Sequence, residues 1–190
     1  MESLRDALVQ ATIKEGASNP SNKRFSTKTI AERCGVSEFT LFTLFKTKDA
    51  LVESALDEAR NDFVLAIQKA VRSSSDVETL VKALVYQAFS APEETIFYAN
   101  YGFWNGKSEG DETKKAALIS RDALVAKKAF IFWQDYPDEV VFLLWNYVWR
   151  QINYAVEGVY DGLAVDSRAY RANVAKLVSS GFFAFVKEGN

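Results

Sequence analysis

The stretch from Phe25 to Leu51, "FSTKTIAERCGVSEFTLFTLFKTKDAL", limits the fold more than any other part of the chain. Two short apolar-patterned segments are parted by a single glycine, which leaves room only for a tight turn. Helices joined that way cross at a steep angle. Ala31 supplies the small side chain for the point of closest approach, and Gly35 tolerates positive φ in the turn. Ser37 stands where the second helix needs a cap. Ile30, Cys34, Val36, Leu41 and Leu44 are expected to fill the small core between the two, and the spacing throughout is that of a helix-turn-helix.

The remaining positions of the second helix cannot all enter that core. Residues 38 and 42, and 39 and 43, project together from a helix. A helix held out in this way fits the major groove of DNA. The expected contact set is Thr27, Ser37, Glu38, Phe39, Thr40, Phe42, Thr43, Thr47 and Lys48. Phe39 suits a thymine methyl, and Thr40 or Thr43 suits base edges or phosphates. Thr47 and Lys48, at the start of the next helix, offer a hydroxyl, amides and a cation to phosphate.

Elsewhere the pattern is helix after helix. Helices are expected at about 3–15, closed by Gly16, then at 27–33, 38–44 and 48–72. Ser75 with Glu78 reads as a capping box for a helix to about 89, and Ser90 with Glu93 as another for a helix to about 104. "NGKSEGD" is a loop, followed by helices at about 111–134, 137–160 and 166–187. Asp135 with Pro137 starts the second of these, Asp166 starts the third, and Gly162 closes the turn between them. The expectation is an all-α chain of about nine helices, divided into residues 1–50 as a helix-turn-helix domain and 51–190 as a larger helical domain.

Composition narrows the chemistry. Among 190 residues there is no histidine, which removes Ser-His and Cys-His catalysis and imidazole metal sites, and a lone Cys34 forms neither an internal disulfide nor a thiolate cluster. No metal, no cofactor and no enzymatic activity are expected. With 48% apolar residues a sizeable core is available, whereas the amino-terminal residues lack the design of a secretory signal. The longest uncharged apolar run is far short of a membrane span, so the chain is expected to be cytoplasmic. Net charge is −2, yet residues 1–50 hold eight Lys/Arg against six Asp/Glu, so the amino-terminal end is the one a phosphate backbone prefers.

"TIAERCGVSEFTLFTLFKTKDAL" resembles the DNA-binding signature of tetracycline-repressor-like (TetR) regulators. Ile30, Ala31, Gly35, Val36, Ser37, Leu41, Phe45, Lys48 and Leu51 carry the resemblance. The chain departs from that signature at Phe42, where the family usually has a tyrosine, and at Glu38 and Phe39. The resemblance implies a homodimeric repressor on a near-palindromic operator, released by a small-molecule effector. It also implies that 51–190 is the helical effector-binding and dimerisation domain, with a ligand pocket between its helices. The aromatic-rich region supplies candidates for its wall in Phe97, Tyr101, Trp104, Trp133, Trp145 and Trp149, with Asn146, Arg150 and Asn153 as polar contacts. An apolar or aromatic ligand suits such a set.

The last helix carries Tyr170, Val174, Leu177, Val178, Gly181 and Phe185 along one stripe, and the helix before it is apolar almost all round. A two-fold four-helix interface agrees with both this pattern and the resemblance. Two other readings remain open at this point. One is a ligand-sensing adaptor of the same fold that acts through a protein partner, which the acidic Glu38 and bulky Phe39 favour. The other is an enzyme built on isolated acids such as Asp122, Asp135 and Glu157.

Overall fold

Every regular element among the described residues is helical. The structure is a computed structural model, and it describes residues 3–18, 26–102, 121–122 and 137–188. In chain order these form α1 (Leu4–Ala17), α2 (Thr27–Arg33), α3 (Glu38–Phe45), α4 (Lys48–Ser73), α5 (Val77–Ser90) and α6 (Pro92–Phe97). A π-helical turn (Tyr98–Gly102) continues α6, and α7 (Asp138–Tyr160) and α8 (Arg168–Glu188) follow. The loop expected at 105–111 lies outside the described residues. So does the helix expected at 111–134, apart from Arg121 and Asp122, which are helical.

The chain divides into two compact units. One comprises Met1–Phe63 and Glu93–Asn105, the other Val64–Pro92 and Gly106–Asn190. The long α4 therefore begins in the first and ends in the second.

In the first unit the core is built from Leu8 and Ile13 of α1, Ile30 and Ala31 of α2, Leu41 and Phe45 of α3, and Leu51 and Ala55 of α4. Phe97, Tyr98 and Tyr101 complete it. Segment 93–102 is thus a structural part of the amino-terminal unit, where its aromatic rings bury the apolar faces of the short helices. Two sequence expectations change here. Gly16 does not stop α1 but lies inside it, since the helix runs to Ala17. A Cβ at Gly16 would overlap the Phe97 ring and stand 3.2 Å from Tyr101 Cε2, so this glycine permits a close approach. Leu44 does not join the helix-turn-helix core either. The buried stripe of α3 runs Leu41 to Phe45, one helical turn apart, and leaves Leu44 exposed on its flank.

Polar ties fix the short helices further. Ser3 and Asp6 form a capping box on α1, and the Ser3 hydroxyl and amide hold the Asp6 carboxyl below the usual carboxylate range. Arg33 of α2 pairs with the buried Glu15 of α1 at 2.8 Å. Arg5 stacks its guanidinium 4.5 Å from the centre of the Phe45 ring and donates to Ser54 Oγ, while Gln10 donates to Glu58 at 2.8 Å. α1 is thereby clamped to α2, α3 and α4.

In the second unit, α5 buries Val77, Leu80, Val81, Leu84, Val85 and Ala88, and α7 buries Val141, Leu144, Trp145, Val148, Trp149, Ile152 and Val156. Both series follow the three-and-four spacing of a single helical face. α8 contributes Val174, Ala175, Val178 and Phe182 and packs against both. Caps differ in register from expectation. Asp76, not Ser75, caps α5: it accepts from Thr79 N at 2.8 Å in a reciprocal box, while Ser75 Oγ donates to Asp76. Ser90 is the last residue of α5 and its hydroxyl turns back to Gln87 O, so it caps nothing downstream. Asp135 lies outside the described residues, and Pro137 stands at the N-cap of α7 without a side-chain cap. Ser167, rather than Asp166, accepts from Tyr170 N at the start of α8, because Asp166 is engaged by Arg171. Gly162 closes the α7–α8 turn at φ +73°, with Gly162 N donating to Val159 O and Leu163 N to Gly158 O.

Candidate nucleic-acid interface

The turn between α2 and α3 is made by backbone chemistry. Gly35 sits at φ +68°, its N–H donates to Glu32 O at 3.1 Å, and Val36 N donates to Ala31 O at 3.0 Å. This pair of bonds satisfies the last carbonyls of α2 and requires a left-handed residue between them. Ser26 and Ser37 then cap the two helices, accepting from Thr29 N and Thr40 N. Leu41 and Phe45 anchor α3 to the core, so its opposite side faces outward.

That outward side carries most of the expected contact set. Phe39 is 82% exposed, and Phe42 and Thr43 are exposed as well. Thr43 Oγ1 donates back to Phe39 O at 2.8 Å, and Ser37 and Thr40 share a hydrogen bond between their hydroxyls at 3.0 Å. Glu38 is half-buried, and its carboxylate accepts from Thr27 Oγ1 at 2.6 Å. Thr27, eleven residues earlier in α2, thus becomes the support of an α3 side chain. Nothing in helical periodicity pairs positions so far apart.

The junction from α3 to α4 contains one residue that sequence reasoning missed. Lys46 adopts φ +65° and ψ −45°, and Thr47 N donates to Phe45 O at 2.7 Å across it. This is a strained γ-turn at a non-glycine residue. Lys46 Nζ donates to Thr43 O at 3.0 Å, which stitches the end of α3 to the turn. Thr47 caps α4 by accepting from Ala50 N at 3.1 Å, and Lys48 is the first residue of that helix. A hydroxyl, a cation and a helix start are therefore gathered beside α3.

The other expected sites fall in both units. Phe97 and Tyr101 lie in the core of the first, their rings stacked 4.8 Å apart. Burial, and after it the Glu15 carboxylate, raises the Tyr101 phenol above its ordinary pKa. Trp145 and Trp149 are buried in the second unit, Asn146 and Asn153 are half-buried, and Arg150 is exposed. Among the described residues the buried Trp145 indole N–H has no acceptor. Trp104 and Trp133 lie outside the described residues. A cleft of about 520 Å³ in the second unit is walled by Lys82, Tyr86, Asp166, Ser167, Arg168 and Arg171, none of them from the expected ligand set.

On α8, Val174 and Val178 are buried within the chain itself, and Tyr170 is half-buried, with its ring edge-on to Phe89. A Cβ at Gly181 would collide with the Tyr147 hydroxyl of α7, so Gly181 makes room for a neighbour in its own chain. Leu177 is 66% exposed. Of the Phe185 side chain nothing is described. Among the described residues there is no cluster of three or more metal-ligating side chains, and no helix is long and apolar enough to cross a membrane.

Residues 23–55 match the family model described as bacterial regulatory proteins, tetR family. No curated protein matches the chain. Among solved structures, a fatty acid degradation regulator FadR from Bacillus halodurans is 18% identical, with 94% of this chain and 95% of that one covered and a TM-score of 0.67. A TetR family transcription regulator from Marinobacter aquaeolei VT8 is 14% identical over 92% and 93% of the two chains, with a TM-score of 0.62. A tetR family protein from Shewanella sp. PV-4 is 20% identical over 97% and 96%, with a TM-score of 0.54. Residues 23–55 thus match the tetR family model in sequence, and nearly the whole chain shares its fold with these solved structures.

Proposed function

We propose that the chain is a cytoplasmic repressor that binds a near-palindromic duplex as a homodimer and is released by a small, predominantly apolar ligand. DNA contact is assigned to residues 1–50, and ligand and dimer contacts to 51–190. The observation that carries the reading is the outward side of α3, held open by a turn that only Gly35 makes easily. Beside it, Thr47 and Lys48 stand ready for phosphate.

The dimer seam is placed on the apolar side chains that the single chain leaves out. On α7 these are Leu143, 64% exposed, with Tyr147 and the 60% exposed Tyr154; on α8 it is Leu177. Positions 143, 147, 150 and 154 form one stripe, which two copies bring together across a two-fold axis. Tyr170, Val174 and Val178 support that seam from beneath, and Gly181 lets α7 and α8 approach closely enough to present it.

The ligand reading rests on Trp145. An unpaired buried donor is destabilising by about 1–3 kcal/mol, and a ligand acceptor would relieve that. Trp149, Asn146, Asn153 and Arg150, on the same helix, supply the remaining surface. Phe97 and Tyr101 are already stacked on each other and closed over Gly16, which turns the assignment away from them. A ligand releases DNA only through a difference in its affinity for the DNA-competent and incompetent states.

The test begins with binding to random duplex across a salt series. Binding should weaken steeply with salt, and Lys48→Ala should reduce the slope by about one unit per subunit. Absence of salt-dependent binding would instead favour the adaptor reading, in which the exposed Phe39 meets a protein. Apolar metabolites are then screened by quenching of tryptophan fluorescence and rescored for release of DNA. A compound that quenches without changing DNA affinity binds both states equally and is not the effector.

A further inference from the structure

α3 contains no arginine, lysine, asparagine or glutamine between Glu38 and Phe45. Those are the side chains that pair in bidentate fashion with guanine O6 and N7 or with adenine N6 and N7. Two hydroxyls, one carboxylate and two exposed phenyl rings, Phe39 and Phe42, stand there instead.

Each is constrained by the fold. The Glu38 carboxylate accepts from Thr27 Oγ1 at 2.6 Å, which fixes the side chain and leaves further lone pairs to spare. An ionised carboxylate is an acceptor only, so in the major groove it requires an amino group. Adenine sets its N7 lone pair beside that amino group and repels a second carboxylate oxygen; cytosine does not. Phe39 is 82% exposed and carries no polar atom, and the one apolar feature of the major groove is the thymine methyl. The Thr43 hydroxyl proton is committed to Phe39 O.

Resting on the DNA-binding reading above, we propose that α3 reads its operator through pyrimidine edges. Glu38, positioned by Thr27, accepts from a cytosine amino group, and Phe39 covers a thymine methyl. Glu38 also works by exclusion. Opposite any base without a free amino group, and beside phosphate, its charge is uncompensated, so wrong sites are penalised rather than the right one merely favoured.

The experiment is selection of duplex DNA by the full chain from a random pool, followed by binding to the selected duplex and to random duplex. Each half-site is expected to contain a required cytosine and a required thymine. Replacing that thymine with deoxyuridine removes one methyl and should weaken wild-type binding about fourfold per half-site, with no effect on Phe39→Ala. Glu38→Gln should bind random duplex more tightly, yet lose about tenfold per half-site in the ratio of selected to random binding. Thr27→Val should lower the same ratio.

A half-site specified without cytosine and thymine overturns the inference, as does a neutral deoxyuridine replacement. If Glu38→Gln and Thr27→Val shift only the melting temperature, Glu38 is a tie between α2 and α3 and the inference again fails. No enrichment from the pool would overturn the DNA-binding reading itself, and this inference with it.

Discussion

At Gly35 the chain needs φ +68°, and a side chain branched at Cβ is disfavoured there by about 1–3 kcal/mol. No heavy atom stands within 4 Å of a Cβ built at this position, so the penalty is conformational and not steric crowding. Gly35→Val is therefore expected to reorient α3 and abolish specific DNA binding, with helical content and dimer mass unchanged. Gly35→Asn, a residue that tolerates the left-handed region, should retain most of the affinity. Equal loss in both variants would point to a side-chain contact instead. Glu38 and Thr27 are each candidates on sequence grounds. The bond between them is not, because the Thr27 to Glu38 contact spans eleven positions and exists only once α2 and α3 have crossed.

At the scale of elements, α1 and segment 93–102 are locked together by a glycine and two rings. Gly16→Ala gains about 1 kcal/mol of helix propensity but forces a methyl into the Phe97 ring, an overpacking worth about 1–3 kcal/mol. Net destabilisation in urea is expected, and Phe97→Leu should relieve part of it in a double-mutant cycle. A more stable Gly16→Ala would mean that Phe97 does not sit on α1. The same contact has a pH signature. Tyr101 has its pKa raised above 10.0 by burial and then by Glu15, so the folded state holds its proton more tightly than the unfolded state. The associated stability is fully present below about pH 10 and is lost as pH rises through the folded value. Urea midpoints measured from pH 9 upward should fall, and Tyr101→Phe should remove the part of that fall due to this phenol.

For the whole molecule, the proposed repressor depends on self-association through the second unit. Leu177→Glu sets a charge on the exposed stripe without disturbing the core of the chain, since Leu177 is 66% exposed. Sedimentation should show a monomer where the wild type is a dimer, and operator affinity should fall with it because a palindrome needs two α3 helices. An intact dimer would place the seam elsewhere. Gly181 is a poorer probe, since any side chain there first meets Tyr147 of the same chain.

Local signals along the chain sufficed for the helix-turn-helix and for most of the described helices. Apolar spacing, serine caps and a glycine turn are local signals, each acting within one or two helical turns, and they placed α2 at its observed ends and α3 and α4 within a residue of theirs. Caps chosen between neighbouring polar residues slipped by one, at Asp76 and Ser167, because adjacent oxygens compete for the same amide and geometry picks the winner. Which apolar residues cover which others was decided by the tertiary structure alone. Gly16 reads as a helix stop until a ring arrives from eighty residues away, and the stripe of α8 reads as one face until α5 and α7 bury half of it. Burial is a property of the space between elements, and no window along the chain contains that space.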